Sequence, residues 1–245
     1  MENWTATLEA QLAIDYGCTA EEAHGSAHVF RPLALHENRR RNGWSGDMFT
    51  AAVYRGKLLV MAEESMLEWC KAHWAGENAA WFSEPESLRA LDEELGRRGH
   101  KLLDAHHHYI PALDWPRVQP RFPVRWYEGG ELEQFRGDPR FGQCLLWDEE
   151  RPDLFAVCAM AGDEILGMAS VTRNCEKLWE IGVDVTAPGR GQGVGSYVTA
   201  LIKERVLDMG AVPTYATVES HIASQRVAFR SGFMPAFYEV FAGKL

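Results

Sequence analysis

The sequence contains no apolar run approaching the ~18–20 residues that a membrane span needs. Its first residues, Met1-Glu2-Asn3-Trp4, have neither a basic n-region nor an apolar core, so they do not read as a secretion signal. Cysteine is sparse: Cys18, Cys70, Cys144, Cys158 and Cys175 are too scattered for a disulfide scaffold and include no CxxC pair for a metal. Reduced thiols in a cytoplasmic protein are the simplest reading. Basic residues are also in deficit. The chain of 245 residues has 25 Lys and Arg against 35 Asp and Glu, a net charge of −10. Polyanion affinity comes from clustered cations, so a nucleic-acid partner is disfavoured. A cofactor phosphate stays open, because backbone N–H groups alone can hold it.

What is present is ordinary globular composition, 46% hydrophobic and 24% charged, in a length suited to one large domain or two small ones. Eight of the nine histidines lie before residue 120, and Pro111, Pro116, Pro120 and Pro123 form a stiff stretch. The expected boundary is therefore near residue 120. In the first half, residues 5–14 have helical spacing. Residues 48–54 and 57–62 flank Arg55-Gly56 as a β-hairpin. Residues 65–74 read as a helix opened by a Ser65/Glu68 capping box, and Ser83 reads as the cap of a helix to residue 95 with Pro85 in its first turn.

The second half reads as a hairpin over 155–160 and 165–172, a strand over 178–186, and a helix from Val194 to Met209. A strand over 211–218, a short helix over 223–231 and a last strand over 237–241 follow. Helices packed on one mixed sheet are the expected architecture.

The densest feature is Pro188-Gly189-Arg190-Gly191-Gln192-Gly193-Val194-Gly195-Ser196, between a strand and an amphipathic helix. Such a turn exposes N–H groups at the positive end of a helix, a ready anion site. The spacing is not G-x-G-x-x-G, which counts against a dinucleotide oxidoreductase, and no Gly-Lys-Ser/Thr follows as in a phosphate-binding P-loop.

Here the residues resemble the GNAT superfamily of acyl-CoA N-acyltransferases. Its signature Arg/Gln-x-x-Gly-x-Gly/Ala is met by Arg190-Gly191-Gln192-Gly193-Val194-Gly195. A second segment, Ser224-Gln225-Arg226-Val227-Ala228-Phe229-Arg230-Ser231-Gly232-Phe233, is similar to the family's Asn-x-x-Ser/Ala…Gly-Phe. The resemblance covers roughly residues 123–245. It implies an α/β fold with an α+β mixed sheet: a GNAT-like acyltransferase domain over 121–245, preceded by a smaller α+β accessory domain over 1–120. That first part is alternatively a degenerate copy of the same fold, since it has a hairpin followed by helices.

The resemblance further implies that the backbone of Gly191, Gln192, Gly193, Val194, Gly195 and Ser196, with Arg190, holds the pyrophosphate of acetyl-CoA. Val183 and Val185 would pair with the pantetheine arm like an added strand, and a backbone N–H there would polarise the thioester carbonyl. Ser224 and His221 fall at cofactor-contacting positions, His221 standing where the family usually has Asn. Ala228 stands where many members have a Tyr that protonates the leaving thiolate, which leaves Tyr238 as a candidate phenol. Glu180, near where several members carry a general base, is either that base or an outward-facing carboxylate. Asp184 shares its strand parity and either lines the acceptor cleft or faces solvent.

The implied activity is transfer of an acetyl group from acetyl-CoA directly to a primary amine on a small molecule or peptide. The alternative is a non-catalytic acyl-CoA-binding sensor. Residues 1–120 would shape the acceptor pocket or a homodimer interface. His106 and His108 would share a strand face, but no further ligands accompany them, so no metal is expected. Arg39-Arg40-Arg41 reads as a solvated loop. Gly43-Trp44-Ser45-Gly46-Asp47 misses a nucleophile elbow because residue 47 is Asp.

Overall fold

The computed structural model describes residues 4–245. Residues 1–3, read above for the absence of a secretion signal, lie outside the described residues. In chain order the elements are α1 (Trp4–Asp15), α2 (Ala20–His24), β1 (Val29–Pro32), β2 (Phe49–Tyr54), β3 (Lys57–Ala62), α3 (Glu64–Trp74), α4 (Pro85–Gly96) and β4 (His100–Pro111). Then come β5 (Val124–Glu128), β6 (Asp153–Ala161), β7 (Glu164–Arg173), β8 (Leu178–Val185), α5 (Val194–Asp208), β9 (Val212–Thr217), α6 (Ile222–Arg230) and β10 (Phe233–Lys244). Among the described residues no helix is long and apolar enough to cross a membrane.

The chain forms two compact units, Thr5–His108 with Ala236–Leu245, and Tyr109–Pro235. This division differs from the one expected at residue 120. The proline-rich stretch lies inside a unit, and the end of the chain returns to the unit built by the first half. Hydrogen bonding is the reason: β10 pairs antiparallel with β2, from Phe237↔Tyr54 to Phe241↔Thr50.

In the Tyr109–Pro235 unit the strands lie in the order β9-β8-β7-β6-β5. Only the β8–β9 pair is parallel. Side chains alternate across this sheet as a two-residue period demands. Odd positions (Phe155, Val157, Ala159, Ala169, Val171, Ile181) join Val194, Val198, Ile202 and Val206 of α5 in one core. Even positions (Ala156, Cys158, Met160, Met168) join Leu132, Phe135, Phe141 and Leu145 in another. The second core is capped by two 3-10 segments, Gly129–Phe135 and Pro139–Phe141. These segments and β5 were not expected from sequence, because their polar residues carry no helical period.

In the other unit Ala51, Leu58, Val60, Val240 and Ala242 pack against Met66, Cys70 and Trp74 of α3 and Leu91 and Leu95 of α4. The β2–β3 hairpin turns at Arg55 (φ 51°) and Gly56 (φ 78°), both left-handed as a tight two-residue link requires. The expected caps do not form. The N-cap of α3 is Glu63 and that of α4 is Glu84, neither with a side-chain cap bond; Pro85 does occupy the first turn of α4.

Arg40 corrects another expectation: it is buried at 6% exposure, not solvated. Its guanidinium pairs with Asp15 and with Glu239 (2.6 Å), and its N–H donates to Asp15 Oδ1 (2.8 Å). Tyr16 (2.8 Å) and Asn42 (3.2 Å) also donate to the Glu239 carboxylate. Burial would raise the Glu239 carboxyl, but the Arg40 charge and the His108 hydrogen bond overcome this and hold it far below the usual carboxylate range. His108 lies 3.4 Å from Glu239 and stacks on Phe237, while His106 pairs with Asp104. Among the described residues no three His, Cys, Asp or Glu side chains gather as a metal site.

Two stability tests follow from buried charge. Arg40→Ala leaves two carboxylates buried without their cation, so urea unfolding should register a loss of about 3–5 kcal/mol. In the other unit, burial pushes the Lys203 ammonium down to about 8, although its Nζ donates to the Ser231 carbonyl (2.6 Å). Between pH 8 and the ordinary lysine value of 10.5 the unfolded chain then holds more protons than the folded one, so stability rises with pH. Relative to Lys203→Met, the wild type should gain up to about 1.4 kcal/mol per pH unit across that window.

Candidate active site

The site is built where β8 leaves β9. Their parallel register runs Leu178↔Val212, Trp179↔Pro213, Glu180↔Thr214 and ends at Ile181↔Tyr215, whereas β8 stays paired to β7 as far as Val185. Residues 182–185 therefore have a strand on one side only. Hydrogen bonds fix which backbone groups face the opening. Val212 N–H donates to the Lys177 carbonyl (2.8 Å), and Thr186 N–H donates to the Leu166 carbonyl on the β7 side (3.0 Å). Backbone direction alternates along a strand. Odd positions thus point towards β9, and the N–H and C=O groups of Val183 and Val185 point into the gap.

Directly after β8 the chain makes the glycine turn. Gly191 (φ 74°) and Gly193 (φ 78°) are left-handed, a conformation costly for residues with a Cβ. Gln192 ties the turn to itself by donating from Nε2 to the Pro188 carbonyl (2.6 Å). Gly193 is the N-cap of α5 and supplies no side chain, so the N–H groups of Val194, Gly195 and Ser196 open the helix without a side-chain cap. A Cβ at Gly191 would meet nothing within 4 Å, so the turn borders open space. A Cβ at Gly193 would come within 2.8 Å of Arg121 Nη1. Arg121, which the sequence gave no reason to single out, thus holds its cation over the turn, and among the described residues it pairs with no carboxylate.

On the even face of β8, Glu180 is half-buried one rung before the fork, and its Oε2 accepts from Asn174 Nδ2 (2.7 Å). Gly182 is glycine because the segment behind it passes at contact: a Cβ would lie 2.7 Å from Cys144 Cα and Gln143 O. Asp184 does not line an open cleft. Its Oδ2 accepts the backbone N–H groups of Gln143 (2.8 Å) and Cys144 (2.9 Å), clamping that segment to the strand.

On the helix side, the last β9 rung carries Tyr215, 2% exposed and hydrogen-bonded to Ser224 Oγ (2.8 Å). Burial raises the Tyr215 phenol, so it stays protonated at neutral pH. Ala228 is 0% exposed in the same core. Tyr197 is buried on α5 and donates to the Phe122 carbonyl (3.3 Å), a packing role. Arg190 and His221 are exposed, His221 at the N-cap of α6 without a side-chain cap bond.

Tyr238 is not brought to this group. It belongs to the other unit, pairs with Val53, packs 5.0 Å from His107 and is 8% exposed within that core. All five cysteines are free thiols, and burial pushes Cys70 and Cys158 up to about 12, so neither is a ready thiolate.

The family model described as the acetyltransferase (GNAT) family matches residues 115–233. That segment is a GNAT acetyltransferase domain, so the chain carries an acyltransferase module of a family that works on acyl-CoA. Among solved structures, a GCN5-related N-acetyltransferase-like protein from Streptococcus suis is 14% identical, covering 98% of each chain with a TM-score of 0.49. A GCN5-related N-acetyltransferase from Kribbella flavida is 19% identical over 65% of each chain (TM-score 0.46). A GNAT-family protein from Novosphingobium aromaticivorans is 16% identical, covering 60% of this chain and 68% of its own (TM-score 0.45). No curated protein matches the sequence.

The Asp184 clamp is open to measurement. Asp184→Ala should expose the Gln143 and Cys144 amides to hydrogen exchange and cost about 1–3 kcal/mol, with Asp184→Asn intermediate because it keeps one acceptor oxygen.

Proposed function

We propose that the protein is an N-acetyltransferase that moves an acetyl group from acetyl-CoA directly to a primary amine. The observation that carries this reading is the opened β8 edge, with the backbone of Val183 and Val185 turned towards the gap and an uncapped helix N-terminus directly after it. An elongated amide-bearing arm can pair with that edge, and a pyrophosphate suits the N–H groups at the glycine turn. Arg121 adds the fixed positive charge that a pyrophosphate requires and the net charge of the chain does not supply. Bound acetyl-CoA would bring an acyl thioester activated towards an unprotonated amine.

The remaining roles belong to the chain's own residues. Glu180 is assigned as the base: Asn174 holds Oε2, and Oε1, which takes no hydrogen bond from the described residues, receives a proton from the incoming ammonium. Ser224 is assigned as the donor that steadies the departing sulfur, in place of the phenol that Ala228 cannot provide. Tyr215 is a positioning residue, its hydroxyl hydrogen-bonded to Ser224 Oγ. Transfer is direct, with proximity as a main source of rate. Gly191, Gln192, Gly193, Val194, Gly195 and Ser196 serve through their backbones, and His221 and Arg190 lie at the exposed rim.

Calorimetric titration with acetyl-CoA, followed by thiol release across a panel of amines, tests the assignment. Gly191→Glu places a negative charge beside the turn in open space and should weaken binding at least about tenfold. Glu180→Gln should keep acetyl-CoA affinity while lowering kcat by about 100-fold. Binding that survives Gly191→Glu would overturn the pyrophosphate site. Binding without turnover on every amine would favour the acyl-CoA sensor.

A further inference from the structure

The Thr5–His108 unit has a cavity of about 340 Å³ between the end of α3, the turn Ala79–Trp81 and the start of α4. It lies within the size range of small-molecule sites. Its walls are aromatic: Trp69, Trp74, Trp81 and Phe82 all line it. The rings brace one another. Trp69 stands edge-on to Trp74 at 5.1 Å, and Trp74 edge-on to Phe82 at 5.0 Å. His73 stacks on Trp69 at 3.9 Å. Trp74 and Phe82 are buried, but Trp81 remains 64% exposed, a large apolar surface left at the cavity.

The charges around these rings are of one sign. Glu77, Glu84 and Glu86 line the cavity, and no Lys or Arg does. Among the described residues none of the three has an ion-pair partner; the nearby Lys71 is taken by Glu68 (2.8 Å). Glu84 and Glu86 also answer the positive end of α4, so the aromatic walls, with Glu77, carry the argument. The Ser87 hydroxyl faces the same problem in another form: its oxygen is buried without a hydrogen-bond partner and the residue lines the cavity.

We propose that this cavity binds an alkylammonium cation. Electron-rich ring faces attract a cation that sheds its water easily, and the carboxylates add a field of the matching sign. A neutral hydrophobe would gain from the rings alone. The site stands apart from the acyl-transfer reading and does not depend on it.

The probe pair is choline and its neutral isostere 3,3-dimethylbutan-1-ol, titrated into the full chain by tryptophan fluorescence and calorimetry. Choline should bind saturably, and the isostere at least about tenfold more weakly. Trp81→Ala, at an exposed position, should leave the thermal transition in place and weaken choline at least about fivefold, and Glu77→Gln should weaken it by a smaller factor. The proposal is overturned by equal binding of the two probes, by choline affinity unmoved in Trp81→Ala, or by no saturation up to about 10 mM.

Discussion

The parting of β8 from β9 after Ile181↔Tyr215 is the constraint on which the candidate active site rests. A strand inside a sheet has its backbone groups satisfied on both sides; here β8 keeps β7 and gives up β9 for its last four residues. Everything useful clusters around that fork. Glu180 sits one rung before it, the odd-numbered amides open into it, and the glycine turn follows it directly. Tyr215 occupies the last shared rung and meets Ser224 from the following helix. A closed β8–β9 ladder would bury these backbone groups and leave an ordinary sheet.

Keeping β8 in place while one edge is unpaired requires support from its two faces. The odd face is held by the α5 core, and the even face by the segment running past Gln143 and Cys144. Asp184 and Gly182 serve the second contact, one by accepting two backbone N–H groups and the other by having no side chain. A carboxylate that strand parity left either at the acceptor cleft or facing solvent is instead used to hold the scaffold. The other unit solves a different problem in a related way, with Arg40 joining Asp15 of α1 to Glu239 of β10 across 199 positions of separation from the latter. Each unit is thus tied by polar contacts that leave no trace in hydrophobic periodicity.

Much of this was legible beforehand. The hairpin at Arg55-Gly56, the strand before the glycine turn and the helix after it are local matters, decided by φ preference and apolar spacing over a few residues. The glycine turn itself was readable because positive φ and an uncapped helix start need particular residues in order. The capping box at Ser65 and the cap at Ser83 were not, since the N-caps are Glu63 and Glu84, two residues and one residue away. Tyr238 was assigned by elimination among phenols, and pairing to β2 carries it into another core.

By itself the sequence determined the strands and helices from residue 155 to 231, the glycine turn and the GNAT resemblance of that part. It also established that cationic charge is scarce and that the cysteines form no framework. Only the tertiary structure decided that the chain's end returns to the first unit, that Arg40 is buried, and that Arg121 overhangs the turn. It alone showed that Asp184 is a clamp, that Tyr215 backs Ser224, and that four aromatic rings line a cavity together with Glu77, Glu84 and Glu86. The physical reason is range. Backbone preference and amphipathic period act between neighbours in the chain, whereas ion pairs, strand partners and cavity walls join residues tens to hundreds of positions apart.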